Sequence, residues 1–449
     1  MELNAINRVY FVGIGGIGMS ALARYFVKRG TLVCGYDKTR TNLTIALENE
    51  GIAINYLDDI AALPSGFQKN QEDTLIIYTP AIPKDSAILN YFRVNGFIFK
   101  KRSEVLGIIS RGQFCIAVAG THGKTTTSSI IAHLLTDSGY GCTAFLGGIA
   151  TNYNSNFLIG DNNVVVVEAD EYDRSFLTLN PDISVITSMD ADHLDIYGDA
   201  AHLHESFHLF AGQLKPGGTL FVKNGLPIDG IPYGLNEAAV TGKNIRVVDS
   251  NFMFDFQSEE IEIKDLCLML PGKHNVENAV AAIAVALKLG IAPEEIKKAV
   301  ATFKGVKRRF EHILKTPAHI YIDDYAHHPE ELRACFDAVR QLYPDKKLTV
   351  LFQPHLFTRT RDFAEDFAEV LSTADDLVLL EIYPARELPL EGITAQWILD
   401  KITLNNKSLT KKEGVLGIIK DKQPELLLTV GAGDIDTLIQ PLKQMLDHA

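Results

Sequence analysis

Lys124 follows Gly123 and precedes Thr125 in the run Gly120-Thr121-His122-Gly123-Lys124-Thr125-Thr126. Residues of these types in this order can grip a polyphosphate. The glycine lets backbone approach closely, the lysine reaches β- and γ-phosphates, and the hydroxyl can hold Mg²⁺. Against the pattern G-x-x-x-x-G-K-[ST], the first glycine position is occupied by Val118, so the loop is a variant. A threonine-rich helix cap would account for the hydroxyls. It would not account for a lysine beside the glycine that admits a phosphate. The chemistry implied is use of ATP.

A phosphate loop needs acidic residues for its metal. Glu168-Ala169-Asp170-Glu171 closes a run of four valines, and Asp190-Ala191-Asp192-His193 follows the next apolar run. Both would emerge at the carboxyl edge of a parallel sheet, where ligands bind in such folds. His193 there reads as a metal ligand, beside Glu168 and the Thr125 hydroxyl. His202, His204 and His208 read instead as a solvated helix face.

A second glycine-rich loop, Gly13-Ile14-Gly15-Gly16-Ile17-Gly18, fits G-x-G-x-x-G, with Asp37 at the end of the next strand candidate. The glycines admit a pyrophosphate onto a helix N-terminus. That diphosphate can belong to NAD, with Asp37 on the ribose, or to a nucleotide sugar. A nicotinamide dehydrogenase is the alternative this loop keeps open.

The elements around these loops alternate. Arg8–Ile14, Leu32–Asp37, Thr74–Thr79 and Phe97–Lys100 read as strands, with helices at Met19–Arg29 and Asp85–Asn95. A second unit starts at Phe114–Ala119, with a helix from Lys124 to about Asp137. Val164–Glu168, Ile183–Ser188 and Thr219–Lys223 continue it as strands, and Pro227–Lys264 reads as an irregular, β-rich excursion. Helices return at Asn275–Leu289 and Pro293–Phe303. A third unit has strands at Ile320–Tyr325, Leu348–Gln353, Leu377–Ile382 and Leu426–Val430, alternating with helices at Pro329–Leu342, Arg361–Ser372 and Asp434–Leu446. The expected fold is α/β with three domains in series, at residues 1–110, 111–312 and 313–449. The first is Rossmann-like, the central one resembles a P-loop ATPase, and the last is Rossmann-like.

Bulk composition agrees. Apolar residues make up 46% and charged residues 22% of 449, the profile of a soluble globular protein. A formal charge of −13 argues against nucleic-acid or anionic-membrane partners, which need basic stripes. The five cysteines are scattered and show no C-x-x-C spacing, so neither a disulfide framework nor a zinc site is indicated. No leader or membrane span is evident, so a cytoplasmic location is expected. Monomer and homodimer both remain open.

Taken together, these motifs resemble the Mur ligase family, which builds the peptide stem of bacterial peptidoglycan, and the resemblance runs through all three domains. The family's ATP loop is matched at Gly120–Thr125, its metal-binding glutamate at Glu168 and its metal-ligating histidine at His193. His274-Asn275-Val276-Glu277-Asn278 matches its adenine-contacting element. Lys307-Arg308-Arg309-Phe310-Glu311 matches its junction arginine, placed on Arg309, and Asp323-Asp324-Tyr325-Ala326-His327-His328-Pro329 matches the start of its third domain.

The resemblance thus implies Lys124, Glu168, His193, Arg309, Asp324 and His327 as catalytic residues, with Mg²⁺ or Mn²⁺ on Thr125, Glu168 and His193. It implies ATP on Gly120, Thr121, Gly123, Lys124, Thr125, Thr126, Asn275, Asn278, Arg309 and Asp324. A UDP-sugar is implied on Gly13, Gly15, Gly16, Ile17, Gly18, Met19, Ser20 and Asp37.

Within the family, the similarity points to members that join L-alanine to the lactyl carboxylate of UDP-N-acetylmuramate through an acyl phosphate. Gln353–Asp362, Tyr383-Pro384-Ala385-Arg386-Glu387 and Gly431–Ile435 carry it, with His327, His355 and Arg359 implied at the amino-acid site. His327 and His355 are both candidates to handle the amine proton, and Arg359 to hold alanine's carboxylate. Leu356 departs from the pattern, standing where many members have arginine. A sister branch recycles murein by attaching an intact tripeptide to the same sugar nucleotide. Glu168–Asp173 suits both branches, whereas Gly13–Ser20 and His355–Thr360 favour alanine addition.

Overall fold

The computed structural model describes residues 3–190, 197–249, 251–385 and 387–448. The chain forms two compact units. One comprises Met1–Lys243, Phe256–Ile263 and Glu277–Val300; the other comprises Asn244–Asp255, Lys264–Val276 and Ala301–Ala449.

The first unit contains two α/β layers. Strands β1 (Arg8–Val12), β2 (Leu32–Tyr36), β3 (Ala53–Asn55), β4 (Thr74–Tyr78) and β5 (Ile98–Lys101) form an all-parallel sheet in the order β3-β2-β1-β4-β5. Strand order reverses at β1, so the loop leaving β1 opens at the crevice where such sheets bind ligands.

The second layer contains β6 (Phe114–Ala119), β7 (Thr143–Ala150), β8 (Ser155–Leu158), β9 (Val164–Ala169), β10 (Ile183–Ile186), β11 (Thr219–Lys223), β12 (Ile231–Leu235) and β13 (Val240–Val248), in the order β13-β12-β11-β10-β6-β9-β7-β8. Here β6 lies between β9 and β10, with Ala119 level with Ala169 on one side and Ile186 on the other. The residues that follow all three strands therefore start from one edge. Val165, Val166 and Val167 are fully buried, as expected of a strand covered on both faces. The excursion that the sequence shows only as irregular and β-rich, Pro227–Lys264, holds β12, β13, β14 (Asn251–Gln257) and the start of β15 (Glu262–Leu268).

One hydrophobic cluster unites these layers. It runs from Phe11, Leu22 and Phe26 to Phe145, Phe157, Val165 and Phe176. Helix Ile17–Lys28 supplies the bridge, with the Tyr25 ring 5.5 Å from Phe145 and 6.3 Å from Phe157. Its buried face also makes a polar clasp. The Asn156 amide donates to Ser20 Oγ at 3.0 Å and to the Ile17 carbonyl, while Arg24 donates to Asn156 Oδ1 and pairs with Glu50 at 2.6 Å.

The second unit carries β16 (Glu311–Lys315), β17 (Ile320–Asp324), β18 (Leu348–Phe352), β19 (Asp376–Leu380), β20 (Lys407–Thr410) and β21 (Leu426–Val430), in the order β16-β17-β21-β18-β19-β20. Only β16 runs antiparallel. Asp324, Val430 and Phe352 are in register, which aligns the ends of three strands. The helix expected over Arg361–Ser372 is broken at Phe363 into Phe357–Asp362 and Ala364–Leu371, and the last expected helix begins as a 3₁₀ turn, Asp434–Leu438, before Ile439–Asp447. Cys34, Cys115, Cys142 and Cys335 are buried thiols and Cys267 is half-buried. No helix among the described residues is long and apolar enough to cross a membrane.

Candidate active site

The phosphate loop turns between β6 and helix Lys124–Asp137, which makes Lys124 the first residue of the helix. Gly120 and Gly123 have φ of 142° and 81°, a region that favours glycine. Space demands glycine as well: a Cβ on Gly120 would stand 2.8 Å from the Ser188 amide, and one on Gly123 would stand 2.9 Å from Asn278 Oδ1. The loop is laced to the end of β10. Thr121 Oγ1 lies 2.9 Å from Ser188 Oγ, the His122 amide donates to Ser188 Oγ at 2.7 Å, and the Asp190 amide donates to Thr121 Oγ1 at 3.1 Å. Asn278, in the helix Lys273–Lys288, thus sits against the Gly123 turn. Thr125 and Thr126 are buried beneath it.

Lys124 does not point idly. Its ammonium lies 2.8 Å from the Glu171 carboxylate and donates to the Gly120 carbonyl at 2.5 Å and the Thr121 carbonyl at 3.3 Å. Burial raises the Glu171 carboxyl and the Lys124 ammonium at 2.8 Å opposes that rise, which keeps the carboxylate as the ammonium's ionic partner. The neighbouring carboxylates Glu171, Glu168 and Asp170 outweigh burial and raise the Lys124 ammonium, keeping it charged.

Glu168 leaves the end of β9, and its Oε2 accepts the Gly147 amide from β7 at 3.0 Å. Thr125 and Glu168 offer a hydroxyl and a carboxylate, the hard oxygen donors that Mg²⁺ takes, so these residues fit the ion. His193 and Asp192 lie outside the described residues, as does Arg386. Among the described residues there is no group of three or more His, Cys, Asp and Glu side chains placed to hold a metal. His204, expected on a solvated face, is half-buried and donates to the Met189 carbonyl at 3.0 Å, which ties its helix to the end of β10. His202 caps locally onto Asp199 at 2.9 Å.

A cavity of about 300 Å³ runs from the first glycine loop to Glu168. Gly16, Gly18, Arg102, Gly147, Glu168 and Asp170 are among its walls. Gly16, Ile17, Gly18 and Met19 line it, whereas Ser20 is fully buried in the clasp with Asn156. Asp37 accepts the Gly15 amide at 2.8 Å and the Thr39 amide at 3.0 Å, so its carboxylate shapes the loop itself. Gly13, at φ 91°, donates to the Tyr36 carbonyl at 2.8 Å. Sequence reasoning missed Arg102, whose guanidinium lies 2.5 Å from where a Cβ on Gly18 would stand and 3.1 Å from Asp170. It also missed Gly147 and Glu171. The acidic run Glu168–Glu171 was a sign of the last, but nothing in it assigned Lys124 as the partner.

The second unit gathers the remaining residues. Asp324 spends one oxygen on the Phe310 amide and the other on the Ala326 amide, each at 2.7 Å. Burial raises its carboxyl above the usual range, opposed by Arg309. Arg308 pairs with buried Asp323 at 3.0 Å and donates to the Gly431 carbonyl at 2.7 Å; Arg309 is less buried and lies 3.7 Å from Glu331. Both guanidinium groups lie 5.2 Å from the centre of the Tyr325 ring.

His327 is held by the Tyr325 carbonyl at 2.9 Å and by Glu331 at 3.1 Å, and its ring lies 5.8 Å from that of His355. His355 stacks on Tyr383 and lies 3.3 Å from an Arg359 nitrogen. Leu356, buried at φ 71°, is pinned by its amide to the Tyr383 carbonyl at 2.9 Å. The three residues expected at the amino-acid site are thus brought together. Asn275, in the same unit, donates to the Pro271 carbonyl at 2.5 Å.

Comparison with known proteins agrees with this layout. Residues 8–114 match the model for the Mur ligase family, catalytic domain; 118–286 the Mur ligase middle domain; and 308–434 the Mur ligase, glutamate ligase domain. A UDP-N-acetylmuramate–L-alanine ligase of Flavobacterium psychrophilum is 52% identical over 100% of both chains. The enzyme of that name from Christiangramia forsetii is 50% identical over 100% of this chain and 99% of its own. The crystal structure of the Thermotoga maritima UDP-N-acetylmuramate–alanine ligase superposes with a TM-score of 0.84 at 27% identity, covering 98% of this chain and 99% of that one. A murein peptide ligase from Psychrobacter arcticus shares the fold, with a TM-score of 0.71 at 21% identity over 98% of this chain and 99% of that one. With three domain models matched in chain order and half-identical relatives along its whole length, the chain belongs to the Mur ligase family.

Proposed function

We propose that this chain joins L-alanine to the lactyl carboxylate of UDP-N-acetylmuramate, using ATP, in the cytoplasmic synthesis of peptidoglycan precursors. The observation that carries the proposal is that Glu168 and Asp170 line the cavity leading to the first glycine loop and also lie near enough to Lys124 of the phosphate loop to raise its ammonium. The half-identical relatives of that name support the choice of amino acid.

A carboxylate is a poor electrophile, so one of its oxygens first attacks the γ-phosphoryl group and forms an acyl phosphate. The obstacle is negative charge approaching negative charge. Lys124 offsets it at the β- and γ-phosphates. Mg²⁺ or Mn²⁺, held by Thr125 and Glu168 with His193, would add charge neutralisation at the same phosphates. Asn275 and Asn278 would serve the adenine side, with Arg309 on the nucleotide, while Asp324 orients the Arg308–Phe310 turn. Gly13, Gly15, Gly16, Ile17, Gly18 and Met19 would take the sugar nucleotide's diphosphate at a helix N-terminus. Ser20 and Asp37 support that loop from below.

The alanine amine then attacks the acyl carbon and displaces phosphate. Arg359 would hold alanine's carboxylate, and His327 or His355 would take the amine proton. In this reading residues 1–110 bind the sugar nucleotide, 111–312 bind ATP, and 313–449 bind the amino acid and part of the nucleotide.

The test is ADP release with UDP-N-acetylmuramate and ATP, comparing L-alanine with the murein tripeptide as acceptor. L-Alanine should stimulate release. Stimulation by the tripeptide alone would move the chain to the recycling branch. Lys124→Ala should abolish ADP formation while leaving UDP-N-acetylmuramate binding intact.

A further inference from the structure

The Lys124 ammonium has three N–H donors, and three neighbours converge on it: Glu171, the Gly120 carbonyl and the Thr121 carbonyl. Glu171 is the charged one. Its side chain is 1% exposed and that of Lys124 is 13% exposed, so the pair lies where water screens little. The Glu171 main chain is fixed too, because the Tyr197 hydroxyl donates to its carbonyl at 2.6 Å. The two carbonyls belong to the loop and bend with it. The carboxylate comes from the end of another strand, and it draws the ammonium across the glycine turn.

We infer that Glu171 is a positioning residue that competes with the β- and γ-phosphates for Lys124, so that ATP binds by taking the ammonium over from the carboxylate. This rests on the reading of Gly120–Thr126 as the ATP loop. A phosphate brings up to two negative charges to the donors that Glu171 now engages with one, which lets the exchange proceed. The carboxylate subtracts from ATP affinity in return for a lysine held in one place. Nucleotides without a β-phosphate have no claim on Lys124 and should not sense Glu171.

Binding of ATP, ADP and AMP to the full chain, measured by calorimetry, tests this for Glu171→Gln, Glu171→Asp and Lys124→Ala/Glu171→Gln. The amide keeps the shape and removes the charge. In E171Q, ATP and ADP should bind roughly tenfold more tightly relative to AMP, by weakening of a buried charged partner. E171D, with a shorter reach, should show part of that gain. In the double variant the gain should vanish, because the contested ammonium is gone. Equal shifts for ATP and AMP would assign Glu171 a merely structural role and overturn the proposal, as would weaker ATP binding in both single variants. Failure of the ligase reading looks different: the unaltered chain would then bind ATP yet release no ADP with the sugar nucleotide and L-alanine.

Discussion

Gly147 and the Glu168 carboxylate approach so closely that only a hydrogen fits between them; a Cβ would fall nearer to both carboxylate oxygens than real Cβ contacts allow. Gly147→Ala should therefore swing Glu168 off its amide anchor. The expected result is a higher Mg²⁺ requirement and about a tenfold or greater loss of kcat, with little change in stability, because the displaced atoms are the free end of a flexible side chain. A Mg²⁺ titration of ADP release checks it, and an unchanged Mg²⁺ requirement would remove Gly147 from the site.

Asp323 makes a second residue-scale prediction. Burial pushes its carboxyl up to about 6, opposed by Arg308 and the Thr429 hydroxyl and helped by Asp324. A carboxyl raised above its unfolded value holds its proton in the folded state longer than in the unfolded one. Its contribution is thus greatest below about pH 4 and is lost as pH rises toward about 6. Asp323→Asn should flatten that part of the stability profile, read as urea midpoints between those pH values.

At this scale the loops and acidic strand ends were legible because each is a local run of suitable residues. Gly147 and Arg102 were not. Their meaning comes from Glu168 and Asp170, partners that are remote in sequence and recognisable only once the strands are placed.

Helix Ile17–Lys28 shows how an element carries a site. Its N-terminus presents the first glycine loop to the cavity, and its far side is clasped by Asn156. Asn156→Ala would leave Arg24 and the Ile17 carbonyl without that partner. The cost should be about 1–3 kcal/mol, and the KM for UDP-N-acetylmuramate should rise more than the KM for ATP. Thermal melts and initial rates together decide this; equal rises in both constants would mean a general loosening.

The clasp also shows where element reading from sequence stops. Strands that read as buried, largely apolar runs, such as Phe114–Ala119 and Leu426–Val430, are found at their observed limits. β7 and β8 were missed, since Gly147-Gly148 interrupts the first and the second is four residues long. Short edge strands such as β3, β16 and β20 were missed because pairing, and not intrinsic pattern, makes them strands.

For the whole molecule, three α/β domains in series were legible from repetition of strand, loop and helix. Their grouping into two compact units was not. It depends on a shared hydrophobic cluster joining the first two sheets, which only packing reveals. That grouping has a thermodynamic consequence, because unfolding of such a chain need not be two-state. In the proposed reading, UDP-N-acetylmuramate addresses the Gly13–Gly18 loop of the first unit. The chain's single tryptophan, Trp397, lies in the second, on helix Ala395–Lys401. Tryptophan fluorescence should therefore report the second unit, while far-UV circular dichroism reports both. UDP-N-acetylmuramate at about 100 times its Kd should stabilise the first unit by roughly 2.7 kcal/mol. The circular dichroism transition should then shift to higher urea or split, with the Trp397 transition held in place. Equal displacement of both signals by the sugar nucleotide alone would mean that the chain unfolds as one cooperative body, with the division between units invisible to its energetics.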